Sequence, residues 1–117
     1  MRVSVTEQSG VLVFAPRASV MGEEESVELH EKVRENVKAQ KYRMVVDLSG
    51  VEWMNSRGLG FLIAALSSAT AAGGHLCLAH VSPKVRQLLG IVGLVASFEM
   101  YSTVAEAVGS YTRTSSQ

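Results

Sequence analysis

The chain has 117 residues, eleven acidic and eleven basic, with one cysteine and a 47% hydrophobic composition. That length holds one domain, which buries about two-thirds of the surface its unfolded chain exposes, so a core forms without covalent staples. Zero formal charge and the lack of a Lys/Arg cluster exclude a nucleic-acid binder that relies on phosphate neutralisation, and a lone Cys77 excludes an internal disulfide framework.

Val3 to Gln8 alternates loosely, Ser9-Gly10 makes a turn and Val11-Leu12-Val13-Phe14 follows, so the spacing predicts an opening β-hairpin. Pro16 ends or bends its second strand. An acidic helix then begins near Gly22, with glutamates in the first turn where the macrodipole favours them and Leu29, Val33 and Val37 as its inner face. Its many carboxylates read as a solvated face. Tyr42 to Leu48 is the next strand, followed by a Ser49-Gly50 turn.

Residues 45 to 66 place a polar turn between a β-branched run and an apolar helix. Asn55 and Ser56 are good N-cap residues, and the first-turn amides beyond them suit an anion such as a phosphate on Ser56. Leu59, Leu62, Ile63 and Leu66 form the core stripe of that helix. Gly60, Phe61, Ala64 and Ser68 lie with Arg57 on an adjacent stripe, uncharged apart from Arg57, which reads as a contact surface centred on Phe61.

Gly58 to Pro83 carries no Asp, Glu, Lys or Arg, yet Ser67, Ser68, Thr70 and Gly73-Gly74 interrupt it short of the roughly 20 apolar residues that a spanning helix needs. No membrane insertion is expected. Gly73-Gly74 ends the helix, and His75 to Val81 is a strand with Leu76, Leu78 and His80 on one face. Ser82 caps a helix with Pro83 in its first position and Val85, Leu88, Leu89 and Val92 as the buried stripe, closed by Gly93. Ala96 to Tyr101 is a last short strand. Thr103 and Glu106 form a capping box for a helix that turns Val104, Ala107, Val108 and Tyr111 inward. The expected fold is α/β, a single domain over residues 1–111 with a mixed sheet and α-helical crossovers, followed by a polar, frayed tail at 112–117.

Three enzyme-like or cofactor-like readings fail on spacing. A serine-hydrolase elbow needs glycine two residues before the nucleophile, where Met54 stands before Ser56. His75 and Cys77 point to one face of a strand and His80 to the other, so they make a poor metal site. Gly58 and Gly60 lack the lysine-serine or lysine-threonine pair of a phosphate-binding loop. No catalytic residue, metal or cofactor is expected.

Asp47-Leu48-Ser49-Gly50-Val51 followed by Asn55-Ser56-Arg57-Gly58-Leu59-Gly60 resembles the signature of the STAS domain, the fold of bacterial anti-sigma-factor antagonists. The resemblance continues through Gly73 to Leu78, Ser82 to Leu89, Gly93-Leu94 and the final helix. It implies the STAS topology and a phosphorylation-controlled binding module that is not an enzyme. In those antagonists the turn reads Asp-Ser-Ser-Gly and the anti-sigma factor, a serine kinase, phosphorylates the first serine. Ser56 occupies that position, with Asn55 in place of the aspartate and Arg57 in place of the second serine.

The resemblance further implies that the unphosphorylated protein sequesters the anti-sigma kinase and frees its sigma factor, and that a PP2C-type phosphatase reverses the modification. Asn55, Ser56, Arg57, Gly58, Gly60, Phe61 and Ala64 are the expected partner-binding residues, with Arg57 available to pair with the phosphate. No charged n-region with a long apolar h-region opens the chain, so the cytoplasm is the expected compartment. The alternative is a STAS scaffold subunit of a stressosome-like or lipid-transport complex.

Overall fold

The computed structural model describes residues 3–93 and 98–115, with side chains as far as Tyr111. Strand β1 (Val3–Gln8) pairs antiparallel with β2 (Val11–Pro16), and Gln8 faces Val11 across a two-residue loop. Ser9 and Gly10 both take positive φ, 53° and 79°, which gives the loop the twist a tight hairpin needs.

From β2 onward the chain alternates helices with parallel strands. Helix α1 (Glu23–Lys38) leads to β4 (Arg43–Asp47), α2 (Ser56–Ala71) to β6 (His75–Ala79) and α3 (Pro83–Ile91) to β7 (Met100–Tyr101), and α4 (Val104–Ser115) closes the fold. The main sheet has the order β1-β2-β4-β6-β7.

Its central strands are apolar on both faces, as a sheet covered on both sides requires. Leu12, Phe14, Met44, Val46, Leu76 and Leu78 face α1, α2 and α3, and their core includes Leu29, Val33, Leu62 and Leu89. Val11, Val13, Val45, Cys77 and Ala79 face the other way, against Ala107, Val108 and Tyr111 of α4. Tyr111 ties that second layer to the sheet, since its hydroxyl donates to the Met44 carbonyl at 2.7 Å and also lies 3.0 Å from the His75 carbonyl.

Several sequence expectations need correction. A second parallel sheet of two strands, β3 (Val20–Met21) and β5 (Trp53–Met54), lies where the sequence predicts no strand. The core line of α2 is Leu59, Leu62, Ala65 and Ala69, and Ile63 and Leu66 are only half-buried at its margins. Strand β6 stops at Ala79. His80 beyond it takes φ +56°, which breaks the alternation and removes it from the face of Leu76 and Leu78.

Val92 is exposed, because α3 ends at Ile91 and leaves Val85, Leu88 and Leu89 as its inner stripe. Of the predicted strand from Ala96 to Tyr101, Met100 and Tyr101 are strand, and 96–97 lie outside the described residues. Thr103 accepts the Glu106 amide at 3.1 Å as a cap should, but the Glu106 carboxylate meets the Thr103 hydroxyl and not a backbone amide. Helix α4 runs to Ser115, so the backbone of the expected tail starts as helix. Among the described residues no helix is long and apolar enough to cross a membrane.

Candidate functional site

The small sheet sets two helix N-termini side by side. Strands β3 and β5 run parallel, with Val20 opposite Trp53 and Met21 opposite Met54. Each is followed by a single extended residue and then a helix: Gly22 before α1, Asn55 before α2. The Asn55 amide donates to the Met21 carbonyl at 3.2 Å, and the Glu52 and Trp53 amides both donate to the Ser19 carbonyl.

Asn55 is the cap of α2. Its Oδ1 accepts the Gly58 amide at 2.9 Å, and its carbonyl accepts the Leu59 amide at 2.9 Å. Ser56 is therefore the first helical residue. It is exposed, and its hydroxyl makes no hydrogen bond among the described residues. Asn55→Ala should cost about 1 kcal/mol, as loss of a side-chain cap does, and Asn55→Asp should retain that stability because a carboxylate can accept the same amide. Urea unfolding of the two variants checks both values.

The two helix ends differ in charge. The first turn of α1 carries Glu23, Glu24 and Glu25, and Glu25 accepts the Gly22 amide at 2.9 Å, so acidic side chains offset its macrodipole. The first turn of α2 has no acidic residue. Its partial positive charge is uncompensated from within the helix, which suits an anion at Ser56. Arg57 reaches across to α1, where Nη1 donates to Glu23 Oε1 at 2.7 Å. Both side chains are half exposed or more, so this pair contributes only about 0 to 1 kcal/mol and a phosphate can compete for Arg57.

The predicted contact residues separate. Asn55, Ser56, Arg57 and Gly60 are exposed, and Ala64 is half-buried. Gly58 is buried and offers no surface, so its expected place in the contact is corrected. An ideal Cβ there would stand 2.2 Å from the Met21 carbonyl oxygen, and the missing side chain is what lets α2 approach β3. Ser26 is buried at the same joint, and its hydroxyl has no partner among the described residues.

Phe61 is half-buried, its ring centroid 6.2 Å from that of His30 on α1, so part of the expected anchor already packs within the molecule. His30 Nε2 lies 3.0 Å from Ser68 Oγ. Burial, followed by the nearby Arg34, holds this imidazole below its usual pKa, with Glu31 opposing.

The Glu23 contact and the exposed Val20 are not legible in the sequence, whereas Trp53, just before the turn, reads as either core or interface rim. Glu23 becomes the partner of Arg57 only through the parallel β3–β5 pairing, 34 residues apart in the chain. Val20 and Trp53 are exposed beside Asn55, as the outward pair of that sheet. Trp53 alone carries a signal, an aromatic just before a polar turn.

His75, Cys77 and His80 stand in separate surroundings. His75 Nε2 pairs with Glu99 Oε2 at 3.0 Å and its ring meets Tyr111 edge-on, whereas His80 lies beyond the strand. Cys77 is buried and its thiol is pushed up to about 11, chiefly by burial, which makes it a core residue and not a nucleophile. Among the described residues no group of three or more His, Cys, Asp or Glu could hold a metal ion.

A family model described as "STAS domain" matches residues 2–107. A candidate anti-sigma factor antagonist of Thermotoga maritima is 33% identical over 61 residues, which are 52% of this chain and 54% of that protein. The chain thus spans about half the length of the curated relatives it matches. Among solved structures, the RsbS protein of Moorella thermoacetica with a serine-to-glutamate substitution superposes with a TM-score of 0.85 over 100% of both chains at 17% identity. The Bacillus cell-fate determinant SpoIIAA in its phosphorylated form gives 0.73 at 15% identity, over 93% of this chain and 98% of that one. These likenesses show a shared fold.

Proposed function

Because the chain belongs to the STAS domain family, we propose that it is an anti-sigma-factor antagonist, a binding module switched by phosphorylation of Ser56. The unmodified protein sequesters an anti-sigma factor that has serine kinase activity and so frees a sigma factor. That kinase transfers the ATP γ-phosphoryl group to Ser56, and a PP2C-type phosphatase removes it. The observation that carries this reading is the unengaged, exposed Ser56 hydroxyl on the first residue of the 16-residue helix α2.

Electrostatics supports the switch. Phosphorylation adds about −1.5 to −2 charge at neutral pH, on the residue next to Arg57, which is paired with Glu23. A face that the Arg57–Glu23 pair keeps locally balanced becomes strongly negative, and pressing it into an interface then requires desolvating a dianion. Arg57 can leave Glu23 for the phosphate and mask part of the new charge, which softens the switch. The dipole of α2 favours a negative charge at its N-terminal residue Ser56.

The apolar pair Val20 and Trp53 flanks the serine and extends the contact surface beyond Phe61. Incubation with the anti-sigma kinase and ATP, followed by peptide mass spectrometry, tests the assignment. One phosphate is expected, on Ser56, and none on Ser56→Ala. A phosphate mapped to Ser49 or Ser67 would overturn it.

A further inference from the structure

We infer that the cleft at the C-terminal ends of β4, β6 and β7 binds a small oxyanion-bearing molecule, a phosphate ester or a hydroxy acid. The cleft has a volume of about 540 Å³, within the range of small-molecule sites, and it lies where open α/β sheets commonly receive ligands. Leu48, Val51 and Met100 give it an apolar floor, and Ser49 and Ser102 are the serines on its wall that are not engaged as a cap.

Arg86 supplies the cationic character, and His80 adds an imidazole to the wall. Arg86 lines the cleft from the first turns of α3, is exposed, and has no ion-pair partner among the described residues, unlike Arg57. A guanidinium in that state suits bidentate pairing with a carboxylate or phosphate. His80 lines the cleft from the loop after β6, with its backbone in the left-handed region at φ +56° and its amide donating to the Tyr101 carbonyl at 3.2 Å. A non-glycine residue held there costs free energy that the surrounding structure must offset. The conformation places an imidazole on the cleft wall where glycine would satisfy the backbone alone.

Among the described residues that line the cleft, Glu52 is the one carboxylate. It disfavours a bare anion and favours a ligand that also carries a hydroxyl, which can donate to it. The backbone there is fixed, since the Ser82 hydroxyl donates to the Glu52 carbonyl at 3.0 Å.

The test is an amide NMR titration of the full chain with glycerol phosphate, malate and inorganic phosphate, and it is independent of any modification at Ser56. Saturable binding of glycerol phosphate or malate is expected, with the largest shifts at His80, Ser82 and Arg86, and the better of the two probes identifies the oxyanion. Arg86→Gln should weaken that binding about tenfold or more, as loss of a charge-assisted pair does, without changing the thermal melt. His80→Gly should weaken it while keeping the backbone conformation. Failure of both organic probes to saturate, shifts spread evenly over surface lysines and arginines, or wild-type affinity in Arg86→Gln would each overturn the proposal.

Discussion

Gly58→Ala is expected to destabilise the fold by about 3 kcal/mol, although alanine is the better helix former. The added Cβ would stand 2.2 Å from the Met21 carbonyl oxygen and 3.1 Å from its carbonyl carbon, both backbone atoms of β3 that cannot rotate away. Relief requires α2 to lift from β3, which also strains the hydrogen bond from the Asn55 amide to the Met21 carbonyl. Gly60 provides the control, since a Cβ there meets nothing within 4 Å. Gly60→Ala should stabilise by about 0.5 to 1 kcal/mol through helix propensity alone. Urea melts of the two variants should move in opposite directions. A Gly58→Ala protein as stable as wild type would contradict the close approach of α2 to β3.

Leu62→Ala should cost about 2 to 5 kcal/mol, because Leu62 is fully buried in the layer between the sheet and the helices and its loss leaves a cavity. Its neighbour Phe61 behaves differently. Only part of the phenyl ring is withdrawn from water, against His30, so Phe61→Ala should cost about 1 to 2 kcal/mol. Denaturant unfolding of both variants checks the faces of α2, and a larger loss for Phe61 than for Leu62 would show them reversed.

Much of this architecture is legible in the amino-acid order because two strong periodicities carry it. The doubly apolar runs Val11 to Phe14, Met44 to Val46 and Leu76 to Ala79 announce strands covered on both faces, and Ser82-Pro83 announces a helix start. The β3–β5 sheet is not legible. Two-residue strands have no period to detect, and their pairing depends on where α1 and α2 must begin.

The core face of α2 is misread toward Ile63 and Leu66 for a related reason. Large residues look like core, yet the small Ala65 and Ala69 are fully buried. At the site itself, Asn55 and Ser56 are both capping residues by type. Only the extended backbone at Asn55, held by the Met21 carbonyl, decides that asparagine caps and serine stands free. The Arg57–Glu23 bridge and the burial of Gly58 follow from the same tertiary juxtaposition, which no local pattern encodes.

Charge added at Ser56 is expected to disrupt a protein contact while the fold stays intact. The most direct test is calorimetric titration of the anti-sigma kinase with unmodified protein and with protein phosphorylated at Ser56, alongside thermal melts of both forms. Affinity should fall at least about tenfold on phosphorylation, with the melting temperature unchanged or slightly raised, since an anion at a helix N-terminus is mildly stabilising. Equal affinity of the two forms for a kinase that binds the unmodified protein would contradict the account and leave Ser56 as an ordinary exposed residue beside the Asn55 cap.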